Sequence, residues 1–278
     1  MLYGMPSLDD NDKNFDKEFH NLTCLQHPNI VRLVGFCHET QREYVPYRGK
    51  MVLADMTKRA LCFEYMHNGS LDKFISDEST GLDWDTRYAI IKGICEGLKY
   101  LHEELQPPIF HLDLKPANVL LDENMVPKIA DFGLSRFYGE GTGITTSSIG
   151  TIGYLPPEFI NRHVISNKLD IFSLGVVIIK IMTGPTGYSQ SAEMNSQEFI
   201  EQVQRNWRSR LQARSVDVPE SYCEQIKRCI EIALSCLEIE RCRRPTIGAI
   251  IHELNETRCM CQLHEVLGNV PRSSMDQV

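Results

Sequence analysis

No apolar run in this sequence is long enough to cross a bilayer. The longest, Leu174 to Met182, is interrupted by Lys180 and falls well short of the roughly 20 residues that a spanning helix needs. Nor is there an apolar leader, because Asp9, Asp10 and Asp12 stand where one would have to be hydrophobic. Positive charge is in deficit: 29 Lys and Arg against 37 Asp and Glu give a formal net charge of −8. That balance argues against nucleic acid or an anionic membrane as the main partner. Arg205, Arg208, Arg210 and Arg214 gather around Trp207, but an isolated cluster in an acidic chain reads as a solvated helix face. A disulfide framework is also missing. The ten cysteines are scattered, Cys95, Cys229 and Cys236 fall inside helical patterns, and Cys259-x-Cys261 is too little for a zinc site. Internal repeats and low-complexity blocks are absent. Together these absences predict a cytoplasmic protein with reduced thiols, for which partners offer a route to a membrane.

What is present is a globular composition, 42% hydrophobic and 24% charged, over 278 residues, enough for one large domain or two lobes. Its most informative stretch is His111-Leu112-Asp113-Leu114-Lys115-Pro116-Ala117-Asn118, followed thirteen residues later by Asp131-Phe132-Gly133. The residue types suit the movement of a phosphoryl group. Asp113 can accept the proton of an incoming hydroxyl, and Lys115 can sit against the transferred phosphate. Asn118 and Asp131 offer the hard oxygen ligands that Mg²⁺ prefers.

These motifs, in this order and spacing, resemble the eukaryotic protein kinase family. The resemblance runs from residue 15 to about 258 and implies an α+β, bilobal fold with a small N-lobe sheet and a mainly helical C-lobe. It implies ATP and Mg²⁺ as cofactors and a protein hydroxyl as acceptor. Lys115, two residues after Asp113, and Thr151, which in the family bonds the catalytic aspartate and lysine, point to serine/threonine kinases. The strings Leu-Val-Gly-Phe-Cys, Glu-Tyr-Met-His-Asn-Gly-Ser-Leu and Gly-Thr-Ile-Gly-Tyr-Leu are similar to those of plant receptor-like kinases. By that likeness a receptor or signalling complex becomes an expected partner.

Other positions take their roles from the same resemblance. Phe63 would stand at the back of the adenine pocket, the backbone from Glu64 to Met66 would bond the adenine edge, and Leu120 would form its floor. Glu18, nine residues before His27, would be the glutamate of the first large helix. Phe132 and Gly133 complete the metal-binding tripeptide. Glu158, closing the activation segment that begins at Asp131, would pair with Arg244, and Asp170 would open the central helix of the C-lobe. Two departures stand out. Leu112 replaces the arginine usual before the catalytic aspartate, so it cannot hold a phosphorylated activation segment through charge-assisted bonds. And the lysine that would pair with Glu18, with its glycine-rich loop, has no match in the sequence. The only glycine-rich stretch, Gly139 to Gly143, follows Asp131 and reads as a turn. The expected organisation is therefore a partial N-lobe over 1–66 with one helix and two strands, a C-lobe over 67–258 and a polar, loosely ordered tail over 259–278. Two functional readings stand: an ATP-dependent serine/threonine kinase, and a pseudokinase or interaction scaffold, or truncated product, without phosphotransfer.

Hydrophobic patterning fills in the elements. Phe15, Phe19, Leu22 and Leu25 recur at helical spacing up to His27-Pro28-Asn29. Apolar runs over 30–37 and 60–66 read as strands, joined by a polar hairpin over 38–59 with no recognisable chemistry. Asn68-Gly69-Ser70 turns the chain into a short helix near Leu71. Trp84, Tyr88, Ile91, Cys95, Leu98 and His102 form one stripe, on which His102 reads as a satisfied core histidine. Val119 to Leu121 is a short strand, residues 170–182 a helix buried on all sides, and 196–211, 221–238 and 246–258 amphipathic helices.

Overall fold

The computed structural model describes residues 19–76, 81–137, 149–213 and 219–268. Glu18, Phe15 and the Gly139–Gly143 turn lie outside them. The architecture is α+β, a small sheet-bearing part followed by a mostly helical one. A short helical stretch over 19–23 leads to β1 (Leu33–Tyr47) and β2 (Lys50–Phe63), an antiparallel pair. The strands are longer than the sequence pattern suggests. The hairpin expected over 38–59 continues both strands, with the ladder running unbroken through it to a turn at Arg48-Gly49. Cross-strand partners explain the extension. Arg42 Nε lies 3.0 Å from Asp55 and Lys58 Nζ 2.8 Å from Glu43, and the Thr40 and Thr57 hydroxyls meet at 3.1 Å. At the turn both residues are left-handed, Arg48 with φ 49° and Gly49 with φ 76°, the conformation that matches strand twist in tight hairpins. β2 stops at Phe63, so Glu64 to Met66 are not strand as expected.

β3 (Gly69–Ser70), β5 (Val119–Leu121) and β6 (Pro127–Ile129) form a second small sheet in the order β3-β5-β6. The N-lobe is seated on it. Ile30 bridges Ile129 in parallel, Val31 donates to the Ile129 carbonyl at 2.9 Å, and Asn29 Nδ2 donates to the Pro127 carbonyl at 2.9 Å. β4 (Ile109–Phe110) pairs with β7 (Arg136–Phe137).

The helices are α1 (Asp72–Ser76), α2 (Trp84–Lys99), α3 (Pro157–Arg162), α4 (Asn167–Thr183), α5 (Gly187–Glu193), α6 (Ser196–Gln212), α7 (Glu220–Cys236) and α8 (Ile247–Gly268). α2 starts at Asp83, whose carboxylate accepts from Thr86 N at 2.8 Å, and loosens into a π-turn over Tyr100–Glu104. Its stripe from Trp84 to His102 is buried as expected. Gly97 lets it approach the β-sheet, since a Cβ there would meet the Asn29 carbonyl at 2.9 Å. α4 begins at Asn167, three residues before Asp170, and is buried along nearly its whole length. α5 was not legible in the sequence, being short and polar. α8 continues to Gly268, so the expected loose tail over 259–278 is helical for its first half.

Two tryptophans pin the helical layer. Trp207 on α6 donates to the Met182 carbonyl at 2.9 Å and meets Trp84 edge-on at 5.3 Å, while Trp84 donates to Gln225 at 2.7 Å. Arg87, itself buried, donates to the Leu82 and Ile181 carbonyls with its guanidinium 5.4 Å from the Trp207 ring centre. Trp207 is thus a core anchor, with the Arg210 guanidinium 5.5 Å from its ring centre, and Arg214 lies outside the described residues. The cysteines described are free thiols. Burial pushes the Cys95 thiol well up and that of Cys236 up to about 12, so both behave as apolar core groups.

This asymmetry has a measurable consequence. Strands β1 and β2 are mostly exposed, whereas α4 sits in the centre of the core. Amide hydrogen exchange should therefore be fast across Leu33–Phe63 and slowest across Asn167–Thr183. Equal protection in the two segments would contradict the arrangement.

Candidate active site

The catalytic loop is built around a buried carboxylate that does no chemistry. Asp170, fully buried on α4, accepts from His111 N at 2.8 Å and Leu112 N at 2.7 Å, and bonds His102 Nε2 at 2.8 Å. Burial by itself would raise its pKa. The His102 hydrogen bond, the two histidines and the Leu112 N–H outweigh this and hold the carboxyl below the usual aspartate value. His111 also stacks edge-on against Phe132 at 5.1 Å and bonds the Ala130 carbonyl at 3.0 Å. One histidine therefore ties the loop carrying Asp113 to the turn carrying Asp131. Its place in the motif was visible in the sequence; its bridging role was not.

Onto this frame the chain hangs a compact polar cluster. Lys115 Nζ donates to Asp113 Oδ2 at 2.7 Å and to Thr151 Oγ1 at 2.8 Å. Thr151 Oγ1 donates to Asp113 Oδ1 at 2.7 Å, and Asn118 Nδ2 reaches Asp113 Oδ2 at 3.1 Å and the Asp113 carbonyl at 2.9 Å. Asp113, Lys115, Asn118 and Thr151 are thus brought together. Asp131 sits beside them: the Asn118 carbonyl accepts from Ala130 N at 2.9 Å, directly before it. Asp131 is exposed with φ 67°, while Phe132 next to it is fully buried. The turn through Gly133 thus presents the carboxylate to solvent and anchors itself by the ring.

The residues fit a magnesium nucleotide. Asn118 spends its amide nitrogen on Asp113, which leaves its oxygen as a hard donor near an exposed carboxylate. Among the described residues no cluster of three or more His, Cys, Asp or Glu could hold a metal unaided. One carboxylate and one amide, completed by phosphate oxygens and water, is the pattern Mg²⁺ takes with nucleotides.

The adenine-edge candidates line the junction between the lobes. Glu64 N donates to the Arg32 carbonyl at 3.1 Å, and its carboxylate accepts from Arg32 N at 2.9 Å and pairs with Lys128 at 3.1 Å. Met66 is buried, whereas Phe63, expected at the back of the adenine pocket, is exposed. Half-buried Leu120 on β5 pairs with Ser70 on β3. Glu18 lies outside the described residues.

The segment of Thr151 is held in place at two points. Leu112, fully buried with φ 68°, packs with Phe110, Ile149, Phe159, Ile165 and Leu169 in an apolar cluster separate from the main core. Gly150 crosses over its carbonyl so closely that a Cβ would come within 2.9 Å. Further along the same segment, Glu158 and Arg244 form a two-pronged pair, Nη1–Oε1 2.6 Å and Nη2–Oε2 2.8 Å. Arg244 also donates to the Glu238 and Lys168 carbonyls and lies 5.0 Å over the Phe172 ring. The apolar role of Leu112 was missed in the sequence, where the residue registered only as an arginine replaced.

Comparison with known proteins accords with this geometry. The family model described as "Protein kinase domain" matches residues 6–255. The chain belongs to the protein kinase family. It is 37% identical over 254 residues to "Cysteine-rich receptor-like protein kinase 29" of Arabidopsis thaliana, covering 88% of this chain and 35% of that protein. It is 36% identical to "Cysteine-rich receptor-like protein kinase 44" of the same plant, covering 88% of this chain and 63% of the relative. "G-type lectin S-receptor-like serine/threonine-protein kinase SD1-1", also from Arabidopsis thaliana, is 36% identical over 86% of this chain and 28% of its own length. The chain therefore spans from under a third to under two thirds of these relatives, and it resembles the kinase portion of plant receptor-like kinases.

Because the Asp170 carboxyl titrates below its unfolded value, its contribution to stability is complete at neutral pH and is lost as pH falls through the folded-state pKa. Asp170→Ala should cost about 3–5 kcal/mol at pH 7, since it leaves buried N–H groups and a histidine without their acceptor. Urea midpoints measured for both proteins from pH 7 downward should converge at acid pH, and a difference independent of pH would contradict the assignment.

Proposed function

We propose that this kinase domain transfers the γ-phosphoryl group of ATP to serine or threonine hydroxyls of a protein substrate, within receptor-like signalling. The observation that carries the reading is the closed cluster of Asp113, Lys115 and Thr151, with both Asp113 oxygens engaged at 2.7 Å. In this reading Asp113 orients the incoming hydroxyl and accepts its proton. Lys115 lies where negative charge collects on the transferred group, and Thr151 keeps the lysine and the aspartate in register. Asn118 and Asp131 would hold Mg²⁺, which neutralises phosphate charge when bound. Phe63, the Glu64–Met66 backbone and Leu120 would receive the adenine. Transfer of this kind depends on positioning and charge compensation, and the site supplies both from rigid neighbours.

A second reading, a nucleotide-binding scaffold without turnover, has one observation in its favour. Leu112, fully buried, stands where the family usually carries the arginine that engages a phosphorylated activation segment, so the loop lacks that charge-assisted switch.

The two readings part in a radiolabelled phosphotransfer assay on the 278-residue chain with a generic serine/threonine substrate. Activity that disappears in Asp113→Asn supports the transferase, with a loss on the order of 100-fold or more expected for removing a positioned base. Background activity in both proteins supports the scaffold.

Metal binding is tested separately by calorimetry. Asp131→Asn should abolish the gain in ATP affinity that Mg²⁺ confers, because the anionic oxygen ligand is lost. Unchanged Mg²⁺ dependence would remove Asp131 from the site.

A further inference from the structure

The far end of the β1–β2 hairpin is the part of the molecule that neither the fold nor the site explains. Soluble proteins keep apolar side chains of exposed hairpins on one face, against a body. Here the tip is apolar on both. The register sets Tyr44 opposite Leu53 and Pro46 opposite Met51 on one face, with Val45 opposite Val52 and Tyr47 opposite Lys50 on the other. Tyr44 is 68% exposed, Tyr47 57%, Met51 60% and Leu53 53%. Spread over both faces of the tip, these side chains make an exposed apolar projection.

Charge separates the tip from the shaft below it. On the shaft Arg42 pairs with Asp55 directly across the ladder, and Lys58 bonds Glu43 on the facing strand. Between Glu43 and Asp55 the sequence holds Arg48 and Lys50 and no acidic residue. The Arg48 guanidinium lies 5.2 Å from the Tyr47 ring centre, so the cation and the aromatic ring share one site at the turn.

We propose that this tip is an interfacial anchor that docks the domain on an anionic lipid surface. Tyr44 and Tyr47 would sit at headgroup level, where amphipathic rings are favoured, and Met51, Val52 and Leu53 would enter the acyl boundary. Arg48 and Lys50 would meet lipid phosphates and carboxylates. A fluid lipid surface can close around a projection that is apolar on every side, whereas a protein groove or a second hairpin covers one face. The net charge of −8 does not prevent docking. At strand rise the tip stands on the order of 35 Å from Phe36, several screening lengths from the base of the hairpin at physiological salt. The proposal is independent of whether the domain transfers phosphate.

Flotation of the 278-residue chain with vesicles tests it. The protein should float with vesicles of phosphatidylcholine and phosphatidylserine, and float far less with phosphatidylcholine alone or at high salt. Replacing both cations, Arg48→Gln with Lys50→Gln, should weaken partitioning roughly 30-fold. Met51→Asp with Leu53→Asp should abolish it. Both variants should keep the thermal midpoint of the parent, because these side chains pack against nothing in the core. Absence of flotation, or equal flotation of parent and variants, overturns the proposal. Equal binding to neutral vesicles overturns the anionic surface. A lipid-free dimer that disappears in the Met51→Asp, Leu53→Asp variant, with no flotation of the parent, would assign the tip to a second copy of the chain instead.

Discussion

The site depends on one buried carboxylate. Asp170 is drawn from the most buried helix of the fold and spends its oxygens on two successive backbone N–H groups and a histidine. A charge so deep is tolerated only because its acceptor capacity is filled, and the same bonds fix the backbone of the residues just before Asp113. Leu112 is thereby held in a left-handed conformation that a branched side chain avoids, and its burial in the apolar cluster with Ile149 and Phe159 helps to offset that strain. The catalytic loop is rigid because helix, histidine and cluster determine it together.

From this frame the two halves of the candidate site acquire their relation. His111 links the Asp170 carboxylate to Phe132 and the Ala130 carbonyl, so the loop of Asp113 and the turn of Asp131 move as one body. The segment of Thr151 is fastened near its start by the close approach of Gly150 to Leu112 and further along by the pair of Glu158 and Arg244. The Thr151 hydroxyl and Lys115 amine then close on Asp113 without any charge at position 112. The N-lobe contrasts with this. It rests on β6 through Asn29, Ile30 and Val31, but beyond Phe36 its strands mainly pair with each other. Local opening there is cheap, while the C-lobe opens only with the core.

Much of this was legible in the sequence, and the reason is local. The residues of the catalytic loop and the Asp-Phe-Gly turn are near neighbours along the chain, so their spacing alone brings Asp113, Lys115, Asn118 and Asp131 into one short stretch. The α2 stripe and the all-round apolar α4 are written in helical period and become the buried elements that the period implies. The pairing of Glu158 with Arg244, expected from family likeness, also appears as a direct contact. Elements without a period were misjudged: α5 is too short and polar to announce itself, and α8 outruns its apolar pattern.

By itself the sequence determined which residues could do chemistry and which helices would be buried, because residue type and period are properties of neighbours along the chain. Only the tertiary structure decided the rest. That Asp170 would reach across to residues 111 and 112, that Leu112 would serve as an apolar anchor, and that Trp207 would close the core all depend on segments far apart in the chain. The hairpin faces were decided the same way: 38–59 reads as a polar hairpin, but its paired faces and exposed apolar tip exist only once the two strands are in register.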